Sequence, residues 1–76
     1  MPDLPHLSGR EIVRALERLG FKQARQRGSH VVMKKSTDGG SVGCVVPMHN
    51  EVAIGTLRSI LRQAHLTAEE FIAATR

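Results

Sequence analysis

His30-Val31-Val32-Met33-Lys34-Lys35-Ser36-Thr37-Asp38-Gly39-Gly40-Ser41-Val42-Gly43-Cys44-Val45-Val46-Pro47 reads as two strands joined by a tight turn. The β-branched residues of His30–Lys35 suit a pleated surface, and lysines mark the strand's end. Asp-Gly and Gly-Gly in Thr37-Asp38-Gly39-Gly40 favour the positive φ angles of a sharp reversal. Ser41–Val46 is the returning strand, and Pro47 closes it because proline has no amide for a continuing ladder. Alternation places Val31, Met33 and Lys35 on one side of the first strand and His30, Val32 and Lys34 on the other. If Val31 and Met33 face a core, His30 and Lys34 face solvent.

On the N-terminal side, Arg27-Gly28 separates this hairpin from a short edge-type strand predicted over Phe21–Gln26. Before it, Ser8-Gly9-Arg10-Glu11 has the spacing of a capping box, and Ile12, Val13, Leu16 and Leu19 follow at helical period. The first helix is expected over residues 9–19, with Gly20 as its terminal glycine. On the C-terminal side, residues 47–53 carry no period. Leu57, Ile60, Leu61 and Ala64 then define a second helix over residues 54–64. Thr67-Ala68-Glu69-Glu70 repeats the capping-box spacing, so a short last helix over residues 68–74 docks Phe71 and Ile72. The expected fold is α+β, in the order α-β-β-β-α plus a short C-terminal helix. A three-stranded antiparallel sheet carries two helices on one face and leaves the other open.

Composition limits what such a chain does. Its 76 residues make one domain, residues 1–76, and a chain this short buries only about 60% of its unfolded surface, so the working site should be open. With 41% hydrophobic and 24% charged residues the chain should fold. The single cysteine, Cys44, closes no intrachain disulfide, and zinc-finger spacing is absent. No apolar run approaches the ~20 residues of a membrane span, and the opening MPDLPHLSGR lacks the pattern of a secretory signal. Cytoplasmic residence is the expectation.

The net charge of +4 is unevenly distributed. Residues 10–35 hold eight basic and two acidic side chains, a net of +6, while the segments on either side are each −1. Segregated positive charge is what phosphate binding uses, since each contacted phosphate releases counterions. The only aromatic residues, Phe21 and Phe71, sit at expected core positions. A base-stacking platform for single strands is thereby excluded, leaving contacts to backbone and shape.

Histidine is the side chain that accepts and returns a proton near neutrality. His6 and His65 lie at segment ends and read as incidental. His30 follows Gly28-Ser29 at the mouth of a strand, with Arg25, Arg27, Lys34 and Lys35 within five residues. Attack of a ribose 2′-hydroxyl on its own phosphorus needs a base, a proton donor for the leaving oxygen and cations for the developing charge. His30 and its basic neighbours supply those types. His49 is a candidate second proton carrier; alternatively His30 serves in both steps. No HxxxH or clustered-carboxylate spacing suggests a metal, and no cofactor is expected. Ser29 beside His30 does not make a serine hydrolase, since strand neighbours point to opposite sides and the nucleophile elbow is missing. A module that binds duplex RNA without cutting it remains the alternative.

Gly20-Phe21, Arg25, Arg27-Gly28-Ser29-His30, Asp38-Gly39-Gly40 and Val46-Pro47-Met48-His49 together resemble the HicA, or YcfA-like, toxins of toxin–antitoxin systems. The resemblance continues through Gly55-Thr56-Leu57-Arg58-Ser59-Ile60-Leu61-Arg62-Gln63-Ala64 and Leu66-Thr67-Ala68-Glu69-Glu70-Phe71, so it spans nearly the whole chain. It implies a fold like the double-stranded-RNA-binding domain (dsRBD) and a metal-independent ribonuclease that cuts mRNA, with His30 as catalytic residue. It also implies a HicB-type antitoxin that covers the site. Gly28 is then the turn that admits the RNA backbone, and Ser29 a hydroxyl for phosphate. Lys22, Arg25, Arg27, Lys34, Lys35 and Arg58 are the expected phosphate contacts. The chain departs from the family in having Met33 where an aromatic residue is usual and His65 where glycine is usual.

Overall fold

The computed structural model describes residues 3–76 of the chain. Its elements run α1 (Gly9–Arg18), β1 (Lys22–Arg27), β2 (His30–Thr37), β3 (Gly40–Pro47), α2 (Ile54–Gln63) and α3 (Ala68–Ala74). The strands form one antiparallel sheet in the order β1-β2-β3, an α+β arrangement as expected.

Both anticipated capping boxes form. The Ser8 N–H donates to Glu11 Oε1 at 2.9 Å and the Glu11 N–H donates to Ser8 Oγ at 3.1 Å. In α3 the Thr67 N–H donates to Glu70 Oε1 at 2.8 Å and the Glu70 N–H to Thr67 Oγ1 at 3.0 Å. These bonds satisfy amides that a helix start leaves without partners.

Helices α1 and α2 end alike. The Gly20 N–H donates to the Glu17 carbonyl and the Phe21 N–H to the Leu16 carbonyl. The His65 N–H donates to the Arg62 carbonyl and the Leu66 N–H to the Leu61 carbonyl. This paired pattern is the Schellman motif, which places its terminal residue in left-handed backbone. Gly20 takes φ +97°, and His65 takes φ +57° with a full side chain. His65 is thus a helix stop. Phe21, expected as the first residue of a strand, instead closes the α1 motif and is buried, so β1 begins one residue later.

One face of the sheet builds the core. Val31, Met33, Cys44 and Val46 are 0–2% exposed and pack with Ile12, Ala15 and Leu16 of α1, Leu57, Ile60 and Leu61 of α2, and Phe71 of α3. Ala15 takes the buried place on α1 that the periodicity gave to Val13, which is half-buried. Met33 fills its position completely at 0% exposure.

Strand β1 differs from its partners, because all six of its residues are exposed. A shift in pairing between Gln23 and Arg25 adds an unpaired residue, a β-bulge of the sort that blunts a sheet edge. At the β2–β3 hairpin the two loop residues are Asp38 and Gly39, and the positive φ lies at Gly40, +151°, inside β3. Arg18 ties the C-terminal helix to the first one, its Nη1 donating to the Ala74 carbonyl at 2.9 Å and the Arg76 carbonyl at 3.0 Å.

Candidate active site

The face of the sheet opposite the core is a small grid set by the ladder. Cross-strand partners point to the same side, so each pairing places residues together on this face. Arg27 stands opposite His30, and His30 opposite Pro47. The next row is Arg25, Val32 and Val45, and the third is Lys22, Lys34 and Gly43. His30 therefore lies at one end of the central strand, with an arginine on its β1 side and a proline on its β3 side.

His30 is exposed, as are Lys22, Arg25, Arg27 and Lys34. None of these four cations joins an ion pair among the described residues, where the one close acid–base contact is His6 Nδ1 to Glu51 Oε2 at 3.8 Å. Their charge is left unneutralised by the chain itself. Among the described residues no group of three His, Cys, Asp or Glu side chains gathers as a metal-holding cluster. Cys44 is buried in the core, and burial pushes its thiol up to about 11, so it stays protonated and is no nucleophile at neutral pH.

The backbone around His30 is tightly held. Gly28 takes φ +56° in a two-residue turn, and beyond its two chain neighbours no other residue comes within 4 Å of where its Cβ would stand. The Gly28 carbonyl accepts from Gln26 Nε2 at 3.1 Å. The Ser29 carbonyl accepts from the Met48 N–H at 2.6 Å, binding the turn to the chain just past β3. His49 is exposed one residue farther on, and its carbonyl accepts from the Gly9 N–H at 2.9 Å. The start of α1, the Gly28-Ser29 turn and the His49 loop thus meet at the His30 end of the sheet.

Of the predicted site residues, the structure gathers His30, Arg27, Arg25, Lys34 and Lys22 on one face, with Gly28 and Ser29 in the turn at its edge. Lys35 and Arg58 fall outside this grid. Lys35 points to the helix side, its Nζ 5.8 Å from the centre of the Phe21 ring. Arg58 is exposed on α2 rather than on the sheet. Two neighbours of His30 were not singled out by the sequence reading, namely Pro47, its cross-strand partner, and Val45, which is 40% exposed. The alternation of β3 with buried Cys44 and Val46 is the signal that would have found Val45.

A small α+β chain thus carries an open basic face around an exposed histidine. The family model for the HicA toxin of bacterial toxin–antitoxin systems matches residues 9–66. The chain belongs to the HicA toxin family, and membership implies an antitoxin partner. No curated protein matches the chain. None of its helices is long and apolar enough to cross a membrane, among the described residues.

Proposed function

We propose that this protein is the toxin of a toxin–antitoxin pair and acts as a metal-independent endoribonuclease on mRNA in the cytoplasm, with His30 as its general acid and base. The observation that carries the reading is the exposed imidazole of His30 directly across the ladder from Arg27, on a face whose four cations have no acidic partner among the described residues. A duplex-binding module has no need of a proton carrier at the head of that face.

In this reading His30 takes the proton from a ribose 2′-hydroxyl as its oxygen attacks the adjacent phosphorus. Arg27 and Arg25 stabilise the negative charge that builds on the phosphorane oxygens. The bond to the 5′-oxygen breaks, and the imidazolium returns its proton to that oxygen, leaving a 2′,3′-cyclic phosphate and a 5′-hydroxyl. His49 is the second candidate for the donor step. Gly28 keeps the approach clear, since a side chain there would stand where the RNA backbone passes. A HicB-type antitoxin with an acidic surface silences the toxin by covering this face.

The test is cleavage of labelled RNA in EDTA by the native protein and by His30→Ala. Loss of the proton carrier is expected to lower the rate about 10²-fold to 10⁴-fold while RNA binding persists. Equal cutting by the two proteins would refute the enzyme reading, and binding without cutting by both would establish the duplex-RNA module instead.

A further inference from the structure

A second feature lies at the opposite end of the sheet from His30. β1 begins at Lys22, opposite Lys34, whereas β2 continues to Thr37. The uncovered edge forms a pocket of about 460 Å³ lined by Gly20, Lys22, Ala24, Lys34, Lys35, Ser36 and Ser41. No carboxylate lines it.

The backbone adds a donor. The Val45 N–H points away from β2, donating to Gln63 Oε1 at 3.2 Å, while the Met48 N–H donates to the Ser29 carbonyl. Backbone groups alternate in direction along an antiparallel ladder. Those of Val32, Lys34 and Ser36 therefore turn toward the β1 side. Val32 and Lys34 find β1 there, but Ser36 lies past its start, so the Ser36 N–H opens into the pocket. Lys22 and Lys34 approach from the open face. Lys35 reaches in from the helix side past Gly20, where a Cβ would come within 3.3 Å of its Cε. Part of the Lys35 charge also acts on Glu70.

We infer that this notch is a phosphate subsite for the same RNA strand that is cut at His30, so that the strand runs along β2 and is gripped at both ends of the face. Three ammonium groups, two serine hydroxyls and a free amide are the donors a phosphodiester takes, and they leave nothing to attract a cation. The assignment rests on the ribonuclease reading for the position of the cut. His30 and Lys34 are four residues apart, about 13 Å along a strand. At roughly 3.4 Å of rise per stacked nucleotide, the gripped phosphate lies two to four nucleotides from the cut, the lower figure applying to a stretched strand. Substrate length then governs affinity: a dinucleotide engages only the His30 end, whereas five or more nucleotides engage both.

The test uses 2′-O-methyl oligoribonucleotides of two to eight nucleotides, which lack the attacking hydroxyl and stay intact. Backbone amide shifts of the native protein are followed by NMR on titration. Dinucleotides should move the amides of Arg27 and His30, and oligomers of five or more should also move those of Ser36 and Gly20, with affinity rising at least tenfold over that range. Lys22→Ala/Lys34→Ala should lose about tenfold of that gain, and Lys22→Gln/Lys34→Gln, which keeps the side-chain length, should lose a similar amount. Silent Ser36 and Gly20 amides at every length, or a full length gain in both double variants, would overturn the subsite. Unmodified RNA that stays whole in a parallel reaction would refute the ribonuclease reading, while the amide shifts at Ser36 and Gly20 would still decide whether the notch holds phosphate.

Discussion

Gly9 and Pro47 meet backbone to backbone: a Cβ on Gly9 would overlap the Pro47 carbonyl oxygen and stand 2.7 Å from Met48 Cα. Pro47 is the cross-strand partner of His30. The contact through which α1 rests on β3 is therefore also a support for the His30 end of the sheet. Gly9→Ala should destabilise the fold by about 1–3 kcal/mol, since rigid backbone has to shift to admit the methyl group. A thermal melt checks this, with a fall of about 4–8 °C per kcal/mol expected in a domain of this size. An unchanged melting temperature would mean the approach relaxes freely.

His65 is held at φ +57° by the helix stop after α2, a conformation that suits glycine and strains other residues. His65→Gly should raise stability by about 1 kcal/mol. The side chain is exposed and belongs to no part of the basic face, so a melting temperature at or below that of the parent would contradict the assignment.

Acid should weaken both capping boxes. Bonds from the Ser8 backbone and hydroxyl lower the Glu11 carboxyl below its ordinary value of 4.5, and bonds from Thr67 do the same for Glu70. A carboxyl lowered by folding adds stability that is fully present above its unfolded pKa and disappears as pH falls through the folded one. Melting temperature should therefore drop between about pH 5 and pH 3, and Glu11→Gln/Glu70→Gln should flatten that part of the curve. An equally steep fall in the double variant would place the acid sensitivity elsewhere.

Arg25 and Arg27 should contribute charge without sequence preference. Replacing either with alanine is expected to weaken RNA binding about equally for all sequences and to reduce the salt slope, log affinity against log salt, by about 1. An unchanged slope would show that the residue touches no phosphate.

Much of this structure was legible in the chain because its determinants are local. The two capping boxes, the Asp38-Gly39 reversal and the alternation that buries Val31 and Met33 each depend on residues a few positions apart. The exposed placement of His30 followed from that alternation. The features that escaped are set by distant partners. Arg18 finds the carbonyls of Ala74 and Arg76 across more than fifty residues, and the room for Gly9 is defined by Pro47. The bulge in β1 follows from pairing rather than from periodicity, since a strand with no buried side chain has no apolar alternation to read. The same alternation sets Lys35 on the side of Val31 and Met33, away from Lys34, and its ammonium does stand there, by the Phe21 ring.

A strand that buries none of its six side chains is retained by its backbone ladder alone. Lys22, Arg25 and Arg27 can accordingly be exchanged for other residues with little effect on the interior, whereas Met33 or Val31 cannot. The residues that fill the interior and those that β1 offers to solvent are thus separate sets. Divergence or engineering can rewrite this exposed strand while the scaffold beneath it stays the same.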